Sequence, residues 1–169
     1  YDHLKEFVID DETLNGIKKI ISSGEIAELS PERVWSETSR ALKSSNPNLY
    51  FEKIISLGLL DPFFSKLKVP DCDNHVDQEI RWSELQINNN FDLGQNLPIP
   101  NGCTNASNVL KNISKITQKI SEEDLLSVIK NSHFIRNEET ITKLCTLPNL
   151  EKNRDYILKI SKEIKNTDF

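Results

Sequence analysis

The chain has 169 residues, with 21 Lys and Arg against 26 Asp and Glu, a net charge of −5. That length suffices for a domain with a real core, and only 5 Gly and 7 Pro exclude a collagen-like or Gly/Pro-rich disordered chain. No window approaches roughly 18 consecutive apolar residues, so no membrane span is expected. Charge is unevenly spread. Residues 1–100 hold 10 basic and 17 acidic residues, net −7, whereas residues 101–169 hold 11 and 9, net +2. A surface for nucleic acid is therefore expected on the second part rather than the first. Cys72, Cys103 and Cys145 form no Cys-x-x-Cys pair and are odd in number, which fits reduced thiols and a cytoplasmic protein. The chain contains no Met and begins at Tyr1, and the expectation is a piece of a longer protein.

In chain order, Asp10-Asp11-Glu12 followed by Leu14, Ile17, Ile20 and Ile21 predicts an amphipathic helix stopped at Ser22-Ser23-Gly24. Ser30-Pro31 opens a second helix, with Ser30 as N-cap and Pro31 at the first helical position, where its missing N–H costs nothing. Its buried side should be Leu29, Val34, Trp35, Thr38, Ala41 and Leu42. Arg33 holds the position where a capping box needs Glu or Gln. A third helix is predicted after Asn46-Pro47, with Leu49, Phe51, Ile54, Ile55 and Leu57 inside and Gly58 at its end. A short fourth begins at Leu59. From Lys68 to Gly102 the pattern dissolves into Pro, Gly and an Asn run, with room for a helical turn or two at Arg81–Ile87. Helical spacing resumes near Asn105. Leu110, Ile113, Ile116 and Ile120 fall on one side and Lys111, Lys115 and Lys119 on the other. Ser121-Glu122-Glu123-Asp124 starts a helix carrying Leu125, Leu126, Val128 and Ile129, which His133-Phe134 closes. Asn137 starts another with Ile141, Leu144 and Cys145, ended by Pro148. The last helix carries Tyr156, Ile157, Ile160 and Ile164 inside and Lys152, Arg154, Lys159, Lys162 and Lys165 outside. No period-two alternation occurs, so the fold class is all-α: a bundle of short helices with an irregular central loop region.

Few residues suggest chemistry. Asp71 to Asp77 has metal-ligand residue types but neither zinc nor calcium spacing, so no metal site is expected. His3, His75 and His133 are dispersed, and none precedes an Asp. No Gly-rich phosphate loop or nucleophile motif occurs. The acidic clusters sit at helix starts, where the macrodipole explains them. Lys111, Lys115 and Lys119, and the C-terminal cations Lys152, Arg154, Lys159 and Lys162, are the candidate RNA contacts, since spaced cations can track phosphates.

One stretch carries more than periodicity. Ser30-Pro31-Glu32-Arg33-Val34-Trp35, with Glu37 beyond, resembles the neck motif of bacterial CCA-adding tRNA nucleotidyltransferases, and Ser22 to Leu29 leads into it in the same way. Phe7–Leu14, Asn46–Phe51 and Leu57–Leu60 resemble neighbouring neck segments. Ser121–Lys143 and Tyr156–Ile164 resemble, more weakly, the later helices of the longer proteobacterial enzymes. The resemblance implies neck helices over 1–67, an irregular insert over 68–104 in place of a His-Asp phosphohydrolase module, and a C-terminal helical body and tail over 105–169.

The same resemblance implies that nucleotidyl transfer belongs to an N-terminal head not contained in these residues, where carboxylates would hold Mg²⁺ against ATP or CTP. No catalytic residue and no cofactor is expected in this chain, which alone should be inactive. Its implied role is to support the head and to bind the acceptor arm and elbow of tRNA. Arg33 could bond a neighbouring carboxylate or carbonyl and fix the head–neck angle. The alternatives are a non-catalytic helical RNA-binding or protein-docking module derived from such a neck, or the equivalent region of a bacterial poly(A) polymerase.

Overall fold

The computed structural model describes residues 30–56, 64, 67–69 and 77–167. Among them are seven α-helices, one 3₁₀ helix and no strand. The helices expected at Asp10–Ile21 and from Leu59 fall outside the described residues. No described helix is long and apolar enough to cross a membrane. The chain divides into two compact units, Tyr1–Pro100 and Asn101–Phe169.

In the first unit, α1 spans Pro31–Leu42 and α2 spans Asn48–Ser56. Trp35, Thr38, Ala41 and Leu42 are buried, at the spacing of one helical stripe. Thr38 donates its hydroxyl hydrogen to the Val34 carbonyl at 2.8 Å. That hydroxyl has one hydrogen, so the Tyr50 hydroxyl, 2.9 Å away, is the donor in the α1–α2 contact. Phe51 is fully buried, with its ring edge-on to Tyr50 and Phe64 at centroid distances of 5.1 and 6.3 Å. Ile55, expected inside, is 41% exposed. Tyr50 takes the inward position, because its ring fills the space and its hydroxyl finds a partner there.

The largest departure from expectation lies in the stretch that reads as irregular. Gln78–Ile87 is a ten-residue helix, α3, capped by Asp77, whose carboxylate accepts the Glu79 N–H at 3.0 Å. Seven consecutive residues, Ile80 to Gln86, are buried. A helix covered on every side shows no amphipathic period, so the sequence hides it. Trp82 meets Trp35 of α1 edge-on at 5.2 Å and 88°. Arg81 Nη1 donates to the carbonyls of Leu42 and Ser44, both at 2.6 Å. These carbonyls sit at the C-terminus of α1, where the last turn lacks intrahelical donors and the helix dipole is negative.

The chain beyond α3 is held by two buried amides. Gln86 donates to the Leu93 carbonyl at 2.9 Å and accepts the Leu93 N–H at 3.1 Å. Asn89 accepts the Lys68 N–H at 2.6 Å and donates to the Lys68 and Leu85 carbonyls at 2.8 Å. Gly94 has φ +67°, and a Cβ there would stand 3.1 Å from the Trp82 ring.

In the second unit, α4 spans Asn101–Ile113 and packs its buried face, including Cys103, Ala106, Leu110 and Ile113, against α5 (Glu122–Ser132) and α6 (Glu138–Leu144). Ser121 caps α5, accepting the Asp124 N–H at 3.2 Å, and three carboxylates occupy the first turn. His133 ends it in the left-handed region, φ 47°. Val128 and Ser132 are its buried residues, while Leu126 is 63% exposed. Buried Asn137 donates to the Ser132 carbonyl at 2.8 Å and accepts from the Asn105 amide at 3.0 Å, tying α4 to the α5–α6 turn. Pro148 starts a 3₁₀ helix, Pro148–Asn153, which leads into α7, Arg154–Lys165.

Replacing Arg81 with Met should leave the α1 carbonyls unpaired and lower the stability of the first unit by about 2–4 kcal/mol. Both tryptophans, Trp35 and Trp82, lie in that unit. Urea unfolding followed by Trp fluorescence therefore reads the effect directly, and an unchanged midpoint would count against it. Burial pushes the Tyr50 phenol up to about 12, helped by the nearby Glu37 charge. The unfolded chain ionises near the ordinary value of 10.0. The contribution is thus complete below that pH and is lost as pH rises through about 12. A tyrosinate absorbance titration should show a tyrosine ionising late, and Tyr50→Phe should remove that step at a cost of about 1 kcal/mol.

Candidate nucleic-acid interface

The motif at Ser30–Glu37 is built as a helix start. Ser30 is extended (φ −62°, ψ 129°), and its Oγ accepts the Arg33 N–H at 3.3 Å. The same hydroxyl donates to Glu32 Oε2 at 2.8 Å. Glu32 thus closes onto the cap from the second helical position, in place of the residue a capping box would use at the third. Its backbone and Ser30 hydrogen bonds hold its carboxyl below the usual carboxylate range. Trp35 is buried, Val34 half-buried, and Glu37 exposed.

Arg33 points to solvent and its side chain has no partner among the described residues. Arg33 instead shares the outer face of α1 with Arg40 and, just past the helix, Lys43, all three exposed. At about 100° per residue these three fall within one side of the helix. The pattern of i, i+7 and i+10 was present in the sequence but is masked there by the acidic balance of residues 1–100.

The candidate cations of the second unit are placed differently from expectation. Lys111, Lys115 and Lys119 are all exposed, but they are not a helical stripe. α4 ends at Ile113. Beyond it the N–H groups of Lys115 and Ile116 reach back three residues, to Asn112 and Ile113, and the Ser114 hydroxyl takes the Lys111 carbonyl at 2.8 Å. This tightened turn drops Ile116 into the core, fully buried. Lys115 and Lys119 therefore lie on the connection between α4 and α5.

At the other end, Lys152 is exposed on the 3₁₀ helix, and Lys159 and Lys162 are exposed on α7. Arg154 is half-buried, and its guanidinium donates inward to the carbonyls of Cys145, the α6 C-cap, and Leu147, just before the 3₁₀ helix. Lys165 pairs with Glu138 at 3.2 Å on the surface.

Among the described residues no group of three or more His, Cys, Asp and Glu is arranged to hold a metal ion. Asp71 to Val76, His3 and Cys72 lie outside them. Cys103 and Cys145 are buried and not joined in a disulfide, and burial pushes Cys145 up to about 11 against the opposing charge of Arg154.

Residues 6–69 match a family model described as the probable RNA- and SrmB-binding site of polymerase A. The chain is 37% identical over 106 residues to a multifunctional CCA protein of Haemophilus influenzae, covering 59% of this chain and 25% of that protein. It is 28% identical over 123 residues to a CCA-adding enzyme of Actinobacillus succinogenes, covering 70% of this chain and 30% of the relative. It is 40% identical over 65 residues to a multifunctional CCA protein of Mannheimia succiniciproducens, covering 38% and 16%. The chain thus spans less than a third of the length of these relatives. No solved structure matches it.

Replacing Ser30 with Ala should cost about 1 kcal/mol through the lost cap and raise the Glu32 pKa toward its ordinary value. Carboxyl chemical shifts followed through an acid titration test this; an unmoved Glu32 would show that the hydroxyl does not hold it. Since the folded value is depressed, the Glu32 contribution is present above the usual value of 4.5 and fades as pH falls through the folded one. Over the aligned residues, the chain is a region related to the CCA-adding enzymes.

Proposed function

We propose that this chain is the RNA-holding part of a CCA-adding tRNA nucleotidyltransferase, in which a separate catalytic head transfers CMP and AMP to the tRNA 3′ end. The match of residues 6–69 to an RNA-binding region carries this reading, and the relatives named for CCA addition support its substrate. The head would supply Mg²⁺ and the nucleotide site. This chain supplies a scaffold and cations for phosphates.

Two sets of cations are candidates for that contact. Arg33, Arg40 and Lys43 lie inside the matched stretch on one exposed face of α1. Lys111, Lys115, Lys119, Lys152, Lys159 and Lys162 lie outside it, on the unit with positive net charge. Arg154 is a positioning residue for the α6–α7 connection, since its donors face backbone carbonyls. The acceptor arm and elbow are the expected tRNA regions, and the head is the expected protein neighbour. A second reading, a protein-docking module, draws on the mention of SrmB beside RNA in the family description.

The test is tRNA binding by the chain, measured by fluorescence anisotropy across salt concentrations. Affinity should fall as a power of salt, with each lost cation–phosphate contact lowering the slope by about one. Reversing Arg33, Arg40 and Lys43 to Glu should weaken binding and flatten the slope. The Lys111/Lys115/Lys119 triple reversal reports the second set separately. If neither changes affinity or slope, the RNA-holding role fails and the docking reading takes its place. Incubation with CTP, ATP and tRNA should give no incorporation; incorporation would place the chemistry within the chain.

A further inference from the structure

Among the described residues, the second unit carries an exposed apolar surface. Leu126 and Ile135 are 63% and 64% exposed. They border an open groove of about 630 Å³, lined also by Ile129, Lys130, His133, Phe134, Arg136 and Ile164. Adjacent large aliphatic side chains exposed to water mark a contact surface.

The exposed side of α5 has an ordered charge pattern. Glu122, Leu126 and Lys130 are exposed and four residues apart, so at about 100° per residue they form one row along the helix. A carboxylate stands at the N-terminal end, an aliphatic side chain at the centre and an ammonium at the C-terminal end. Laid antiparallel across a second copy, with the two Leu126 side chains facing at a two-fold axis, this row sets Glu122 of each copy opposite Lys130 of the other. The surface is therefore complementary to its own reverse, which is what an isologous contact requires. A polyanion would meet repulsion from Glu122 and Glu123 at one end. A uniformly charged helix would meet like charge at one end whichever its sign.

We propose that this face pairs two copies of the chain through antiparallel α5 helices centred on Leu126. The helix has 11 residues, so the contact is small among specific interfaces, and the pair should form and dissociate with concentration.

Sedimentation velocity of the full chain over a concentration series tests this. A monomer–dimer equilibrium is expected, and Leu126→Asp should abolish the dimer. Glu122→Lys and Lys130→Glu should each weaken self-association roughly tenfold, since both ion pairs become like-charge pairs. An equimolar mixture of those two variants should dimerise again, because every facing pair is then of opposite sign. That mixture also separates a broken interface from a misfolded variant, which mixing cannot restore. A chain that stays monomeric at every concentration, a Leu126→Asp variant that associates as before, or a mixture no better than its components would each overturn the proposal. Loss of tRNA binding by Leu126→Asp in a chain that is monomeric throughout would assign the face to RNA instead and equally overturn it.

Discussion

Two hydrogen bonds from one buried guanidinium organise the first unit. Arg81 is 2% exposed and belongs to a helix surrounded by protein, yet its Nη1 is directed at the carbonyls of Leu42 and Ser44. A cation buried so deeply is tolerable only where its donors are met and negative potential is present. The C-terminus of α1 provides two acceptors for Nη1 and the negative end of a helix dipole. The reverse dependence also holds: α1 cannot end inside the fold unless something takes its last carbonyls. The position of α1, with the Ser30–Glu37 motif at its far end, thus depends on α3. The Trp35–Trp82 contact adds packing between the same two helices.

The second unit repeats this solution with other residues. Arg154 opens α7 and directs its guanidinium to the carbonyl of Cys145, which caps α6, and to that of Leu147, which leads into the 3₁₀ helix. In each unit an arginine from a later helix finishes an earlier one. Arginine suits the task because its planar fork presents several donors at once and stays charged at any accessible pH. Asn137 does related work without charge, joining the α5–α6 turn to α4 through Asn105.

The starts of helices were legible in the sequence, and what was buried on all sides was not. Ser30-Pro31 and Ser121 with its three following acids announce α1 and α5, because a cap acts through its immediate neighbours. α3 has no period to read, since every side of it is covered, and Arg81 in its midst looks like a surface residue. Tyr50 was missed for a related reason: its inward placement depends on Thr38, a residue far enough away in sequence to give no local signal. The lysine row at 111, 115 and 119 was extended along a helix that stops at Ile113, where Ile116 gains more by entering the core than by continuing the spiral. At the candidate interface, the motif around Pro31 pointed to the family region that the comparison also finds over residues 6–69. The Arg33, Arg40 and Lys43 face emerged only when the helix was built.

Gln86 and Asn89 have a bearing on which sequences this fold can accommodate. Each amide addresses the N–H and C=O of one particular residue, Leu93 in one case and Lys68 in the other. They act as molecular rulers, fixing chain length as well as position. A single residue gained or lost between Gln86 and Leu93 would present the wrong backbone groups to the first amide and turn the following Gly94 away from Trp82. Length variation among related chains should therefore be absent from that interval.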